Sequence, residues 1–164
     1  MADMTVSMFL IAATAIACAV MGGVFFAFSS FVMRALARLP PQQGLAAMQS
    51  INIVVINPVF MTTLFGTGIA CAAWAVYAVM QWHGATSAFL IGGSVSYFLG
   101  TIVVTIVGNV PLNDALAATN PAREDAASFW VHYVRRWTAW NHVRTISSVA
   151  AAALFLLALG LSSS

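Results

Sequence analysis

Apolar residues along the chain fall into four long runs that short polar segments separate. The runs cover residues of about 5–33, 51–80, 87–110 and 144–161. A helix needs roughly 20 apolar residues to cross the hydrocarbon of a bilayer, so each run is long enough to span a membrane. The pattern therefore predicts an all-α integral membrane protein, a four-helix bundle that forms one domain over residues 1–164.

The connection between the third and fourth runs is polar and long, and its own pattern is helical. Asn120-Pro121 is a favourable helix start, because Asn caps a helix and Pro is tolerated at its first position. The aromatic side chains then recur at three- and four-residue spacing: Phe129, Trp130, Tyr133 and Trp137. This spacing predicts an additional amphipathic, interfacial helix over residues of about 121–140, between spans 3 and 4. Its aromatic face could lie on the membrane surface or cap the bundle, and the helix could run directly into the fourth span.

The composition indicates that lipid, rather than water, surrounds most of the chain. The chain is 62% hydrophobic and only 6% charged, whereas a soluble domain has roughly 25% charged residues. The lipid bilayer is thus the first predicted partner. The net charge of +2 does not indicate a nucleic-acid partner.

The placement of arginine predicts the orientation. The first and third connections hold all the basic residues: Arg34, Arg38, Arg123, Arg135, Arg136 and Arg144. The positive-inside rule places such loops in the cytoplasm. We therefore expect loops 34–50 and 112–143 to be cytoplasmic, both termini to lie outside, and the protein to reside in a bacterial cytoplasmic membrane.

Polar residues in the third run share one helix face. They recur every four residues: Tyr97, Thr101, Thr105, Asn109 and Asn113. Residues at this spacing form one slowly drifting stripe, which could line a polar cavity. In the alternative interpretation, the threonines bond backbone carbonyls and the stripe holds helices together. A neighbouring row of small residues (Gly92, Ser96, Gly100 and Gly108) indicates close packing within the chain, or against a second copy or another membrane protein.

Two further polar groups lie near the same predicted membrane face. Asn52 and Asn57-Pro58 surround a helix break, although Asn57 could simply cap the next helix. The last run begins with Trp137, Trp140, Asn141, His142 and Arg144. His142 could transfer protons and Arg144 could hold an anionic oxygen, or both could simply face the headgroups. Asparagines from three segments at one depth predict a pocket that opens to the cytoplasm or the inner leaflet.

Metal and redox motifs are sparse in the sequence. Cys18 and Cys71 lie within apolar runs, which is typical of small buried side chains. No spacing of His, Cys, Asp and Glu matches a transition-metal site, so no metal site is predicted. A metal or haem bound through His132 and His142 is the alternative that the sequence leaves open.

Four blocks in the sequence resemble the anthrone oxygenase-like family of small four-helix membrane proteins. The blocks are Gly23-Val-Phe-Phe-Ala-Phe-Ser-Ser-Phe-Val-Met33 with Leu39-Pro40, then Ala47-Met-Gln-Ser-Ile-Asn52 with Asn57-Pro-Val-Phe60, then Asn109-Val-Pro-Leu-Asn113, and finally Trp137-Thr-Ala-Trp-Asn-His-Val-Arg-Thr145. The resemblance covers nearly the whole chain in the same order. It implies the four-helix membrane fold and, less directly, a reaction.

The resemblance implies an oxygenase or oxidase that acts on a lipophilic aromatic substrate, as some members oxidise anthrones to anthraquinones with molecular oxygen and without a bound metal or flavin. No cofactor is therefore predicted, and oxygen is the co-substrate. The catalytic candidates are His142 as base, with Asn109, Asn113 and Arg144 holding oxygens. The substrate-binding candidates are Asn52, Asn57, Asn141, Phe25, Phe28, Ser29, Trp137, Trp140 and Thr105.

Two other functions fit the same residues. One is a protein that binds or transports a lipophilic metabolite and uses the polar stripe for recognition. The other is a structural subunit that packs on a membrane partner through the row of small residues.

Overall fold

The structure is a computed structural model that describes residues 2–162, with side chains from residue 5 onward. Every regular element in this part of the chain is helical. The α-helices are α1 (Ala2–Ala27), α2 (Met33–Leu36), α3 (Pro41–Val54), α4 (Pro58–Met80), α5 (Ala85–Tyr97), α6 (Val110–Ala117) and α7 (Ala126–Ser162). Three π-helical segments continue these helices, at Phe28–Val32, Phe98–Val103 and Thr105–Asn109.

Four helical stretches are long and apolar enough to cross a membrane: Thr5–Leu36, Pro58–Met80, Ala85–Ala117 and Ala126–Ser162. The first joins α1, the first π-segment and α2, and the third joins α5 to α6 through the other two π-segments. The predicted all-α membrane bundle with four spans is confirmed.

The second span begins later than the sequence pattern indicated. Residues 41–54 form the separate helix α3, and α4 starts at Pro58. Asn57 makes this break, because its Oδ1 accepts a hydrogen bond from the Phe60 amide and its Nδ2 donates to the Val54 carbonyl. The side chain of Asn57 is therefore a helix cap, as in the alternative interpretation.

The amphipathic segment and the fourth span form one helix. Helix α7 runs unbroken for 37 residues, from Ala126 to Ser162. Its first residues carry the predicted aromatic face and its later residues cross the bundle. The helix begins at Ala126 rather than Pro121, since residues 121–125 form turns and a bend that contain the exposed ion pair between Arg123 and Asp125.

Helix α7 is the centre of the bundle, with α1 on one side and α5 on another. The row of small residues in the third span packs against it. A Cβ at Gly108 would lie 2.7 Å from the Trp140 ring, and the Ser96 hydroxyl donates to the Ser147 carbonyl at 3.0 Å. This row of small residues therefore packs the third span against α7 within the chain.

One end of the bundle, which we call the arginine end, carries an aromatic cap. It is formed where α3 and α6 pack on the first half of α7, around Leu45, Met48, Leu116, Trp130 and Tyr133. Gln49 closes this cap, because its Nε2 donates to the carbonyls of Leu116 and Thr119. The opposite end of the bundle holds the connection of residues 81–84 between α4 and α5.

Candidate functional site

The arginine on α7 that the sequence singled out is buried. Arg144 is 6% exposed, between the spans and just beneath the aromatic cap. Its Nη2 donates to Asn141 Oδ1 at 2.7 Å, and its Nη1 lies 3.4 Å from Thr105 Oγ1. The Nε has no hydrogen-bond partner. The guanidinium is thus held in place, while its Nε–H is left without an acceptor.

Two aromatic rings enclose the guanidinium. Its central carbon lies 4.3 Å from the centroid of the Phe25 ring and 5.1 Å from that of Trp137. Such cation–π contacts favour a cation that is withdrawn from water. Arg144 forms no ion pair with any described residue; the ion pair in this part of the chain joins Arg123 to Asp125, on the exposed surface. A buried cation with neutral partners is a strong candidate for binding an anionic or strongly polarised oxygen.

Asn141 joins the arginine to the first span. Its Nδ2 donates to the Phe25 carbonyl at 2.7 Å and to Ser29 Oγ at 2.8 Å. Ser29 lies in the first π-segment, and its hydroxyl is 3.0 Å from that of Thr145. π-Helical turns interrupt the regular ladder and occur frequently at functional sites. Asn141 thus links α7 to the backbone of the first span just before this π-segment.

Trp137 connects this network to the third span. Its Nε1 donates to Asn113 Oδ1 at 2.9 Å, and its carbonyl accepts from Asn109 Nδ2 at 3.2 Å. The Tyr133 hydroxyl donates to the same Asn113 oxygen at 2.9 Å. The Phe28 ring lies 5.6 Å from the Trp137 ring. Trp137 thereby fixes both asparagines, Asn113 through its indole N–H and Asn109 through its backbone carbonyl.

Three polar atoms around this cluster are buried without a hydrogen-bond partner. They are Arg144 Nε, Asn109 Oδ1 and Asn52 Nδ2, the last beside the Tyr133 hydroxyl. Buried polar groups are normally paired, and each unpaired one costs about 1–3 kcal/mol. Two donors and one acceptor left free around one buried cation are therefore the arrangement expected of a binding site for a ligand with several oxygens.

Comparison with known proteins gives this arrangement a context. A family model described as anthrone oxygenase matches residues 57–154, more than half of the chain. The chain belongs to the anthrone oxygenase family. No curated protein and no solved structure matches it. The family resemblance predicted from the sequence is thus confirmed, and the matched region includes Asn109, Asn113, Trp137 and Arg144.

In this member of the anthrone oxygenase family, the polar stripe of the third span has two roles. Thr105 and the two asparagines face the arginine and Trp137, as described above. Deeper in the bundle, the Tyr97 hydroxyl donates to the Leu64 carbonyl and the Thr101 hydroxyl lies 2.7 Å from that of Ser148. These two residues hold helices together, which is the role that the alternative interpretation gave the stripe.

Three predicted site residues of this family member lie outside the cluster. Asn57 is exposed and caps α4. Trp140 packs against Gly108 on the side of α7 that faces the third span. His142 is exposed and lines a surface groove of about 340 Å³ between the first span and α7, a groove that it shares with Ser29. The structure therefore connects His142 to the cluster only through Ser29.

The histidine pair that could have held a metal or haem is also far apart. His132 and His142 are both exposed and lie on one unbroken helix. Ten residues of α-helix separate them by about 15 Å along the axis. The chain does not bring them to a common ion.

Two polar contributors were absent from the predicted site. The sequence placed Tyr133 only on the aromatic face, and Thr145 only at the end of the fourth block that resembles the family. Their roles depend on α7 being continuous, because only then does the aromatic face of its first turns continue into the membrane above Arg144. The four-residue step from Tyr133 to Trp137 to Asn141 was the available signal.

Proposed function

We propose that the protein is a membrane-embedded oxygenase for a lipophilic aromatic substrate of the anthrone type. The observation that carries this proposal is Arg144, a buried cation enclosed by Phe25 and Trp137 with a free Nε and no acidic partner among the described residues. Family membership supports an oxygenase-like activity. The cluster then supplies what such a reaction needs, namely a fixed positive charge in an apolar aromatic slot.

The reaction proceeds through an anion of the substrate. An anthrone-type molecule has a CH₂ group between two aryl rings, and loss of one proton delocalises the electron pair onto the ring oxygens. The anion reacts with O₂ to form a carbon–oxygen bond and a hydroperoxide. Loss of water then leaves a carbonyl, so that CH₂ and O₂ become C=O and H₂O. Oxygen is the co-substrate and no bound cofactor is proposed.

In this proposal the chain stabilises the anion by position and charge. Arg144 Nε and Asn52 Nδ2 donate to substrate oxygens, while Asn109 Oδ1 accepts from a phenolic hydroxyl. Asn113 acts indirectly, because its Oδ1 holds Tyr133 and Trp137. Removal of one such preorganised donor typically lowers the rate by roughly 100- to 1,000-fold.

His142 is the proposed base, acting from the groove that borders Ser29. A general base typically contributes roughly 100- to 10,000-fold to the rate. We therefore expect His142→Ala to lower turnover by at least roughly 100-fold without disturbing Arg144. Turnover that survives the change would assign proton removal to another group.

The proposed location follows from the arginine end of the bundle. Arg34, Arg38, Arg123, Arg135 and Arg136 are all exposed there. The positive-inside rule then supports a cytoplasmic position for this end and a site near the inner leaflet of a bacterial membrane. Both ends of the described chain would then lie on the outer side of the membrane.

A second candidate is a protein that binds or transports a lipophilic metabolite. It is favoured by the same free polar atoms, which would recognise oxygens equally well without any reaction. Oxygen consumption separates the two, because transport consumes none.

The test is an oxygen-electrode assay on purified protein with an anthrone. We expect oxygen uptake and quinone formation in equal amounts, with turnover lost in Arg144→Met. Arg136→Met is the matched control, since Arg136 is an exposed arginine on the same helix. An inactive wild-type protein that still binds the anthrone would favour the binding function, and equal loss in both variants would remove Arg144 from the site.

A further inference from the structure

The groove between the first span and α7 has two distinct ends. Ser29 and His142 lie at its deeper end, whereas Arg34 and Arg135 lie nearer the arginine end of the bundle. Seven residues of α7, about 10 Å of helix, separate Arg135 from His142. The outer part is thus distinct from the cluster around Arg144.

The outer part of the groove is basic and amphipathic. Arg34 comes from α2 and Arg135 from α7, so the two walls each contribute one guanidinium. The floor includes Met33, Ala37 and Val134, and no acidic residue lines the groove. Neither arginine forms an ion pair with a described residue. An unneutralised pair of guanidinium groups beside an apolar surface is complementary to an anionic amphiphile.

A buried hydroxyl adds a second, independent feature. Thr138 lines the groove one turn deeper than Arg135, and its Oγ1 is buried without a hydrogen-bond partner. Threonine in a helix commonly donates to the backbone carbonyl four residues earlier, as Thr14 does to Leu10 and Thr63 to Val59. The free Thr138 hydroxyl is therefore available to a phosphate oxygen held between the arginines.

We propose that the outer part of this groove binds the headgroup of an anionic phospholipid. Arg34 and Arg135 hold the phosphate, Thr138 donates to it, and an acyl chain lies along Ala37 and Val134. The groove volume of about 340 Å³ suits a headgroup and the first part of a chain. The inference is independent of the proposed oxygenase function, because none of these residues belongs to the Arg144 cluster.

The test is native mass spectrometry of delipidated protein titrated with phosphatidylglycerol or with phosphatidylcholine of the same acyl chains. We expect one phosphatidylglycerol to bind at lower concentration than phosphatidylcholine. In the double variant Arg34→Ala with Arg135→Ala, the Kd for phosphatidylglycerol should rise roughly 10- to 30-fold, about the effect of two basic groups at a membrane surface.

The matched control is the double variant Arg38→Ala with Arg136→Ala. It removes the same charge from the same end of the bundle, one turn and one residue away, and neither residue lines the groove. We expect its Kd to stay within about twofold of the wild type, a change too small to reflect a lost contact. Equal weakening in both double variants, or equal binding of the two lipids, would overturn the proposal.

A conservative double variant shows whether weaker lipid binding results from the lost contacts rather than from misfolding. Arg34→Lys with Arg135→Lys keeps the charge but loses the planar fork. We expect it to bind phosphatidylglycerol with an affinity between those of the wild type and the double alanine variant. If the lysine variant binds no better than the alanine variant while its melting temperature is unchanged, charge complementarity is wrong as the basis of the groove.

Discussion

The guanidinium of Arg144 lies 4.3 Å from the ring centroid of Phe25, so a buried cation and an aromatic face from the first and last spans meet inside the bundle. Asn141 strengthens this relationship, because it bonds the arginine with its Oδ1 and the Phe25 carbonyl with its Nδ2. The position of the charge is thus set by both spans, and its geometry should matter as much as its sign.

Arg144→Lys separates charge from geometry. A lysine ammonium keeps the charge but has no planar fork that could reach Asn141 and Thr105 while stacking on Phe25. We expect turnover of an anthrone to fall by roughly 100-fold, as on removal of an oriented donor. The oxygen electrode measures this rate, and Arg136→Lys serves as the control. Full activity in Arg144→Lys would mean that charge alone suffices.

Asn113→Ala should destabilise the protein. The change leaves the Tyr133 hydroxyl and the Trp137 indole N–H without their acceptor. Two unsatisfied buried donors cost about 2–6 kcal/mol together. The melting temperature in detergent, followed by tryptophan fluorescence, should fall clearly, whereas the neighbouring exposed change Asp114→Ala should leave it nearly unchanged.

Gly108→Ala tests the close approach of the third span to α7. The new Cβ would lie 2.7 Å from the Trp140 ring, which has no flexible end that could move aside. We expect a loss of about 1–3 kcal/mol in the free energy of unfolding, as for other overpacked contacts. Gly23→Ala is the matched control, because its Cβ would meet nothing within 4 Å. A smaller loss for Gly108→Ala than for Gly23→Ala would contradict the packing described.

Asn57→Ala should lower the stability of the protein, whereas Asn52→Ala should weaken substrate binding. Asn57 caps α4, so its loss should cost about 1 kcal/mol of stability and leave the KM for an anthrone unchanged. Asn52 has a free buried Nδ2, so its loss should raise KM with little effect on melting. Steady-state kinetics and thermal melting of both variants measure the two effects. A raised KM in Asn57→Ala would instead indicate that Asn57 contributes to substrate binding.

The sequence was sufficient for much of the fold, because four apolar runs in so weakly charged a chain have few alternatives to a membrane bundle. It also placed Asn109, Asn113, Asn141 and Arg144 near one depth, since helical spacing sets depth directly. The sequence did not show that Thr101 and Thr105 have different roles. Both lie on the same stripe, and only the packing of α7 shows that Thr101 meets Ser148 while Thr105 meets Arg144.

The break before α4 and the continuity of α7 were harder to predict for a physical reason. Asn57-Pro58 is compatible with either a kink inside one helix or the start of a new one, and the outcome depends on where α3 packs. The aromatic face of residues 129–137 fits a helix lying on the membrane as well as one that continues into it. His142, two residues from Arg144, illustrates the same limit, because neighbouring positions on a helix point in different directions.

The length of α7 has a mechanical consequence. A straight helix of 37 residues is about 55 Å long, whereas the hydrocarbon of a bilayer is roughly 30 Å thick. Trp130 and Arg144 therefore belong to one stiff rod that extends beyond the membrane, with no hinge between them. Helix α3, by contrast, is a separate helix of 14 residues bounded by Pro40 and Asn57, so a displacement of α3 would not require a displacement of Arg144.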